Sequence, residues 1–454
     1  METRHRLVTG DAREMAGLPD GAVELVVTSP PYPMIEMWDG LFARLDDCAA
    51  GPAGPDDAGG GASNAEGSET ADDAGADDVG AALARGDGDT AFERMHALLD
   101  EVWRELARVV VPGGIVCVNV GDATRSIGGS FQLYPNHARV VDAFRELGFD
   151  PLPDVLWRKP TNSANKFMGS GMLPPNAYVT LEHEYVLVFR NGGGSRSFPP
   201  HDDDRYDAAF FWEERNDWFS DVWTDVGGTD QQLVPVDLDL DAPADGDREG
   251  EGADDTGPGG ATSGADGAVT GADGTATGSD GGVTDDREAA GWVTRDGRDG
   301  DLRERSGAFP LAIPYRLVNM YSVYGDTVLD PFAGTGTTGL AAAVAGRNSV
   351  GYELDPELAT VFDRRLRRAP AVSRDVVGRR LADHAAFVEE RRARGDEPAY
   401  ESERYGFPVV TRQESSIRLY TVDAVEPVAG EDGEYLVEHT PVEADPRVDV
   451  PDGT

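Results

Sequence analysis

Thr327-Val328-Leu329-Asp330-Pro331-Phe332-Ala333-Gly334-Thr335-Gly336-Thr337-Thr338 is the stretch that decides the fold. Strand-forming residues at Thr327 to Leu329 run into a Pro- and Gly-containing turn, and Thr338 to Ala345 then reads as a helix. Strand, tight turn and helix make the repeating unit of a largely parallel α/β sheet. Glycine lets such a turn bend sharply, and lets backbone approach a ligand where a Cβ would intrude. Gly-x-Gly after a strand also fits a dinucleotide-binding turn, but Gly334-Thr335-Gly336-Thr337-Thr338-Gly339 lacks the third glycine at the required spacing. The next strand, Ser349 to Glu353, closes on an acidic residue seventeen positions beyond Gly336. A carboxylate there can accept hydrogen bonds from both hydroxyls of a ribose.

Three hundred residues earlier, Val23 to Thr28 reads as another buried strand, and Ser29-Pro30-Pro31-Tyr32 leaves its C-terminal end. Two prolines stiffen that loop. Open α/β sheets bind ligands at the carboxyl ends of their strands, where both loops fall. Further elements are expected as a strand at Arg6 to Asp11, a helix from Phe92 and a strand over Ile115 to Val120. A helix at His137 to Leu147 and strands at Asp154 to Lys159 and Glu184 to Arg190 follow. Ile313 to Val323 and Pro356 to about Arg367 read as helices.

The Ser-Pro-Pro-Tyr loop resembles the catalytic loop of methyltransferases that modify exocyclic amino groups of DNA bases. The Asp-Pro-Phe-Ala-Gly-Thr-Gly turn resembles the S-adenosylmethionine loop of the same family. Catalytic loop first and cofactor turn last resembles its circularly permuted beta class. The resemblance implies a Rossmann-like α/β methyltransferase fold, S-adenosylmethionine as cofactor and double-stranded DNA as partner. It implies Ser29, Pro30, Pro31 and Tyr32 as catalytic residues. An exocyclic amine is a poor nucleophile, and acceptors at Ser29 and the Pro30 carbonyl would hold its N–H groups while nitrogen pyramidalises. Tyr32 would stack on a base flipped from the duplex. Asp330, Phe332, Gly334, Gly336 and Glu353 would form the cofactor site. Asp11 would meet the cofactor's adenine, and Phe309, before the last cofactor strand, its methionine end. No metal is implied. His183 beside Glu184 invites a general-base reading, but a structural residue at a strand entry is the stronger one.

Within the family, Ser before Pro-Pro-Tyr is commoner where cytosine N4 is the target, and Asp where adenine N6 is. The resemblance therefore favours N4-methylcytosine, with N6-methyladenine as the alternative and a non-catalytic DNA- or S-adenosylmethionine-binding regulator as a reading of another class. A cognate restriction endonuclease is the partner expected of such an enzyme. Oligomeric state is not readable from these residues.

The net charge of −44 runs against DNA binding, which rests largely on neutralising phosphates. Its distribution qualifies that. Residues 49–90 and 236–290 together hold −22 and lack apolar periodicity, and both read as disordered acidic insertions. Lys159 and Lys166 are the only lysines among 40 basic residues. The Asp-rich, Lys-poor composition resembles that of proteins from extreme halophiles, and in molar salt charges are screened within about 3 Å. The expected layout is a catalytic domain in three parts, 1–48, 91–192 and 291–369. A target-recognition region is expected at 193–235 and a helical and strand extension at 370–454. Around the former, Arg158, Lys159, Lys166, Arg190, Arg196, Arg205 and Arg215, with Phe198, Phe211, Trp212 and Trp218, offer cations and aromatics suited to DNA. Cys48 and Cys117 suggest no disulfide framework, and no apolar run of eighteen or more spans a membrane. A soluble, cytoplasmic protein is expected.

Overall fold

The computed structural model describes residues 1–49, 78–159, 168–170, 172–200, 202–227 and 309–443. Lys166 and the acidic segment 236–290 lie outside them, as does most of 49–90. An eleven-stranded sheet organises the chain. Its centre is parallel, in the order Val110–Val120, Val23–Thr28, Thr327–Asp330, Asn348–Glu353 and Glu2–Thr9. Beyond Val110–Val120 it continues antiparallel through His183–Asn191 to Val155–Arg158, against which Val222–Trp223 lies parallel. Beyond Glu2–Thr9 it continues antiparallel through Glu434–Pro441 and Tyr420–Pro427.

The parallel strands read as apolar runs because both faces are covered. Alternate residues feed different cores, as a two-residue repeat requires. Leu25, Val27, Cys117, Val186 and Val188 pack with the helices Ala312–Tyr321 and Thr337–Val344. Val26, Val116, Val118, Leu187 and Phe189 pack on the opposite face, against Gly88–Val109 and Asn136–Glu146. The helix Gly88–Val109 turns Phe92, Met95, Leu98, Leu99, Val102, Trp103 and Leu106 inward. No helix among the described residues is long and apolar enough to cross a membrane.

One expectation needs correction. The expected disordered stretch 49–90 contains structure at its end: Val79–Arg85 is a helix, and Gly88 already begins the next. Asp78 and Asp87 cap the two by accepting from Ala81 N and Thr90 N. Val79 and Ala82 are buried, and Val79 N donates to Asp46 at 3.0 Å. In the expected recognition region the aromatics divide between core and surface, with Trp212 and Phe219 exposed. Phe211 and Trp218 are buried, Trp218 beside Trp157 and Trp223 in the sheet's core and Phe211 in a cluster with Leu381 and Phe407. Its cations are largely spent inside the chain, Arg196 on Asp326, Arg190 on Asp150, and Arg205 over the Phe198 ring. The segment after residue 370 joins the main sheet. Its strands extend the central sheet, and the helix Ala369–Ala393 packs on them, with Ser373 Oγ accepting from Val422 N at 2.9 Å.

Candidate functional site

The parallel register aligns the strand ends on one edge: Thr28 opposite Val118, Asp330 opposite Gly351, and Thr9 opposite Glu353. Both sequence-predicted loops leave the sheet there, from adjacent strands. The Thr28 hydroxyl donates to Asp330 Oδ1 at 2.6 Å and so bolts one loop base to the other. Asp330 Oδ1 also accepts from Phe332 N at 3.1 Å, which shapes the turn. Burial pushes the Asp330 carboxyl up to about 6, against the hydrogen bonds from Thr28, Thr338 and Phe332 N that favour its charge.

Glu353 ends the neighbouring strand. Its Oε2 accepts from Gly334 N at 2.8 Å and its Oε1 from Asp355 N at 2.9 Å. Each oxygen keeps a further acceptor position, since a carboxylate offers about four. Burial raises the Glu353 carboxyl, the backbone bonds partly offsetting it. Phe332 is half-buried, with Trp103 edge-on at 5.8 Å. Gly334 and Gly336 have φ of 54° and 78°, where side chains are costly. A Cβ at Gly336 would stand 2.2 Å from the Phe362 ring, so this glycine is needed for the turn to meet the helix Pro356–Leu366.

Gly10 N donates to Glu353 O at 2.9 Å, which places Asp11 at the same edge. The Asp11 carboxylate is gripped by Arg13, through its backbone N and its side chain. Burial opposes the charge there, but the Arg13 bonds and cation hold the carboxyl below its usual range. Phe309 is 7% exposed, a core residue beside Ile313 and Leu317.

On the Ser-Pro-Pro-Tyr loop Pro30 and Pro31 are buried and Ser29 and Tyr32 half-buried. Two residues on, Met34 takes φ of 67° while fully buried, its N–H on Met95 Sδ at 3.4 Å. A non-glycine residue in that region stores strain, and surrounding packing must hold it. Asn136 supplies part of the hold, donating to Pro33 O at 3.1 Å and Gly121 O at 3.0 Å. Its Oδ1 is 3.0 Å from Nε2 of His96, whose pKa burial lowers to about 3; the neutral imidazole therefore donates.

The Tyr32 hydroxyl lies within hydrogen-bond reach of Ser29 Oγ (3.2 Å), Glu184 Oε2 (3.0 Å) and Asn119 Nδ2 (2.8 Å). Lys159 Nζ reaches the other Glu184 oxygen at 2.9 Å. Sequence reasoning missed Asn119 and Asn136 and passed over Glu184. The available signals were a lone Asn in the apolar run Ile115 to Val120, and strand alternation. Alternation sends Glu184 to one face of its strand and His183 with Tyr185 to the other, where their rings meet edge-on at 4.9 Å. Among the described residues no hydrogen bond joins His183 to the loop. Cys117 is buried, and burial pushes its thiol up, so it is inert.

Comparison with known proteins bears on this edge. The family model described as DNA methylase, covering N6 and N4 amino-methyltransferases, matches residues 23–364. Type II methyltransferase M.MthZI of Methanothermobacter thermautotrophicus is 40% identical over 422 residues, 92% of this chain and 91% of that one. Type II methyltransferase M.MjaI of Methanocaldococcus jannaschii is 38% identical over 80% of this chain and 91% of its own. A solved Thermus thermophilus protein, described as a DNA modification methylase complexed with S-adenosyl-L-methionine, is 27% identical, covering 80% of this chain and 93% of that one at a TM-score of 0.47. The family match runs from the strand beneath Ser29 to the helix that supports Gly336, and so takes in both loops joined by Thr28 and Asp330. The chain belongs to the S-adenosylmethionine-dependent amino-methyltransferases that act on DNA.

Proposed function

We propose that this chain transfers a methyl group to the exocyclic N4 of cytosine in double-stranded DNA, as the modification half of a restriction–modification pair. The observation that carries the choice of base is Ser29 at the head of the Pro-Pro-Tyr loop, where the family more often has Asp for adenine. Two relatives with the Type II name support the pairing with an endonuclease.

When bound, S-adenosylmethionine supplies an electrophilic methyl group. The residues at the strand edge suit it: Glu353 retains acceptor positions for ribose hydroxyls, and Phe332 keeps part of its ring open beside them. Asp330, Gly334 and Gly336 hold the turn in shape, and Asp11 stands at the adjoining strand end with Arg13 in its grip. Phe309 acts from the core, backing the site. Ser29 Oγ and the Pro30 carbonyl accept the N–H bonds of the amine, and the proline-stiffened loop keeps them in place without reorganisation. Tyr32 offers its ring to the flipped base.

DNA from a host that lacks the modification, treated with the protein and digested to nucleosides, tests this by mass spectrometry. N4-methyldeoxycytidine is the expected product. N6-methyldeoxyadenosine alone would overturn the base assignment and leave the cofactor site standing.

A further inference from the structure

Glu184, Asn119 and Lys159 have no part in the loop's family pattern, yet Glu184 and Asn119 converge on Tyr32 from two strands and Lys159 reaches Glu184 from just beyond a third. Glu184 is faced by Tyr32 from the loop, by Asn119 from Val110–Val120 and by Lys159 from just beyond Val155–Arg158. Glu182 and His183 precede it on its own segment. The Glu184 side chain is 13% exposed.

Donor counting fixes the direction of every bond. An ionised carboxylate only accepts. Tyr32 has one proton and must give it to Glu184. Asn119 Nδ2 donates to both Tyr32 Oη and Glu184 Oε2, each at 2.8 Å; a flipped amide would set its oxygen against theirs. The Tyr32 oxygen is then an acceptor for Ser29 as well, and the Ser29 proton points at Tyr32. Ser29 is left with lone pairs only toward the target side. Burial, and then the Glu184 charge, raise the Tyr32 phenol well above its usual range, so it stays a donor.

We infer that Glu184, charge-balanced by Lys159 and held by Asn119, is a positioning residue that polarises a Ser29–Tyr32–Glu184 chain, makes Ser29 an obligate acceptor and takes up the proton the amine releases. The inference rests on the family's DNA amino-methyltransferase activity and is independent of the choice of base. The step balances. The amine lone pair forms the new N–C bond while the methyl carbon's bond to sulfur breaks toward sulfur. The surplus proton on nitrogen passes to Ser29 Oγ, the Ser29 proton to Tyr32 Oη and the Tyr32 proton to the Glu184 carboxylate. The products are a neutral methylated amine, a neutral thioether and a protonated Glu184, from which Lys159, on the exposed side, opens the way to solvent.

Single-turnover methyl transfer to unmodified duplex DNA, with the full chain in excess, tests this alongside calorimetric S-adenosylmethionine affinity and duplex affinity. Glu184→Gln keeps the side chain's volume and removes its charge. The expected transfer rate is roughly 10²–10³-fold lower, with both affinities unchanged, and Glu184→Asp recovers most of the loss. A loss below about tenfold, an equal loss of either affinity, or a Glu184→Asp variant no better than Glu184→Gln overturns the inference. If Glu184→Gln does not fold, Lys159→Met reads the same chain. Without the cation the Glu184 charge is unbalanced, so the rate–pH profile moves while both affinities hold. An unmoved profile overturns the inference. A wild-type chain that methylates no duplex would instead speak against the family activity itself, before any variant is made.

Discussion

Thr28 and Asp330, 302 positions apart, share a 2.6 Å hydrogen bond that locks the base of the Ser-Pro-Pro-Tyr loop to the base of the Asp-Pro-Phe turn. The bond is buried, so a carboxylate that loses it also loses part of the compensation for its own desolvation. Thr28→Val preserves shape and removes the donor. It should cost about 1–3 kcal/mol of unfolding free energy, by analogy with buried hydrogen bonds to charged groups. Denaturant titration against the parent checks it, and an unchanged midpoint would show that Phe332 N and Thr338 suffice.

Asp330 itself should leave a signature in the pH dependence of stability. The folded carboxyl keeps its proton up to about pH 6, whereas an unfolded Asp releases it near 4. Folding takes up a proton between those values, so stability from this group falls as pH rises from 4 to 6. Above 6 the full penalty is present. Asp330→Asn can still accept from Thr28 and Phe332 N. It should melt above the parent at pH 7–8, by roughly 1–3 kcal/mol, with the gap closing toward pH 4. A gap independent of pH would mean that the carboxyl is not the cause.

Gly336→Ala should damage folding before it damages binding. The added Cβ meets the Phe362 ring at 2.2 Å in a left-handed backbone, so both sterics and conformation oppose it. A loss of roughly 1–3 kcal/mol is expected from overpacking. Phe362→Leu in the same chain should return part of it in thermal melts. Full stability together with lost S-adenosylmethionine affinity would restore the view that the space belongs to the ligand.

His384 is buried and joins three segments. Its Nδ1 faces Glu213 at 2.8 Å and its Nε2 the Pro408 carbonyl at 3.0 Å, two acceptors that only the protonated ring satisfies together. Burial opposes the charge, but Glu213, the carbonyl and Glu414 together raise the pKa above its ordinary value. A raised histidine stabilises fully below about 6.5 and loses that contribution as pH climbs through the folded value. His384→Asn strands Glu213 and should cost about 3–5 kcal/mol at pH 6. The deficit should shrink in alkaline buffer, as melts across the range will read.

Much of this molecule is legible in the sequence where a local pattern suffices. Val23–Thr28, with the rigid loop after it, and the strand, turn and helix around Asp330 lie where the residues place them. What escapes is whatever depends on partners far along the chain. Val79–Arg85 has Ala, Gly and Asp around it and little periodicity, and its order comes from Asp46 and a shared core. The aromatics from Phe211 to Trp223 look suited to stacking on bases until packing claims most of them. Glu184, Asn119 and Lys159 carry no motif, because Glu184 gathers Tyr32, Asn119 and Lys159 from segments separated by loops.

The strand Glu2–Thr9 has as its sheet neighbours residues 348–353 and 434–441, so it can pair with neither until most of the chain has been synthesised. During translation its alternating buried positions Thr3, His5 and Leu7, and both ladders of backbone hydrogen-bonding groups, wait for strands still to come. The sheet is thus dominated by non-local pairings, a topology that folds slowly and leaves strand edges open to wrong partners meanwhile. A chain cut short before Glu434 retains both loops yet exposes a complete strand edge. Such fragments should associate with one another rather than persist as monomers.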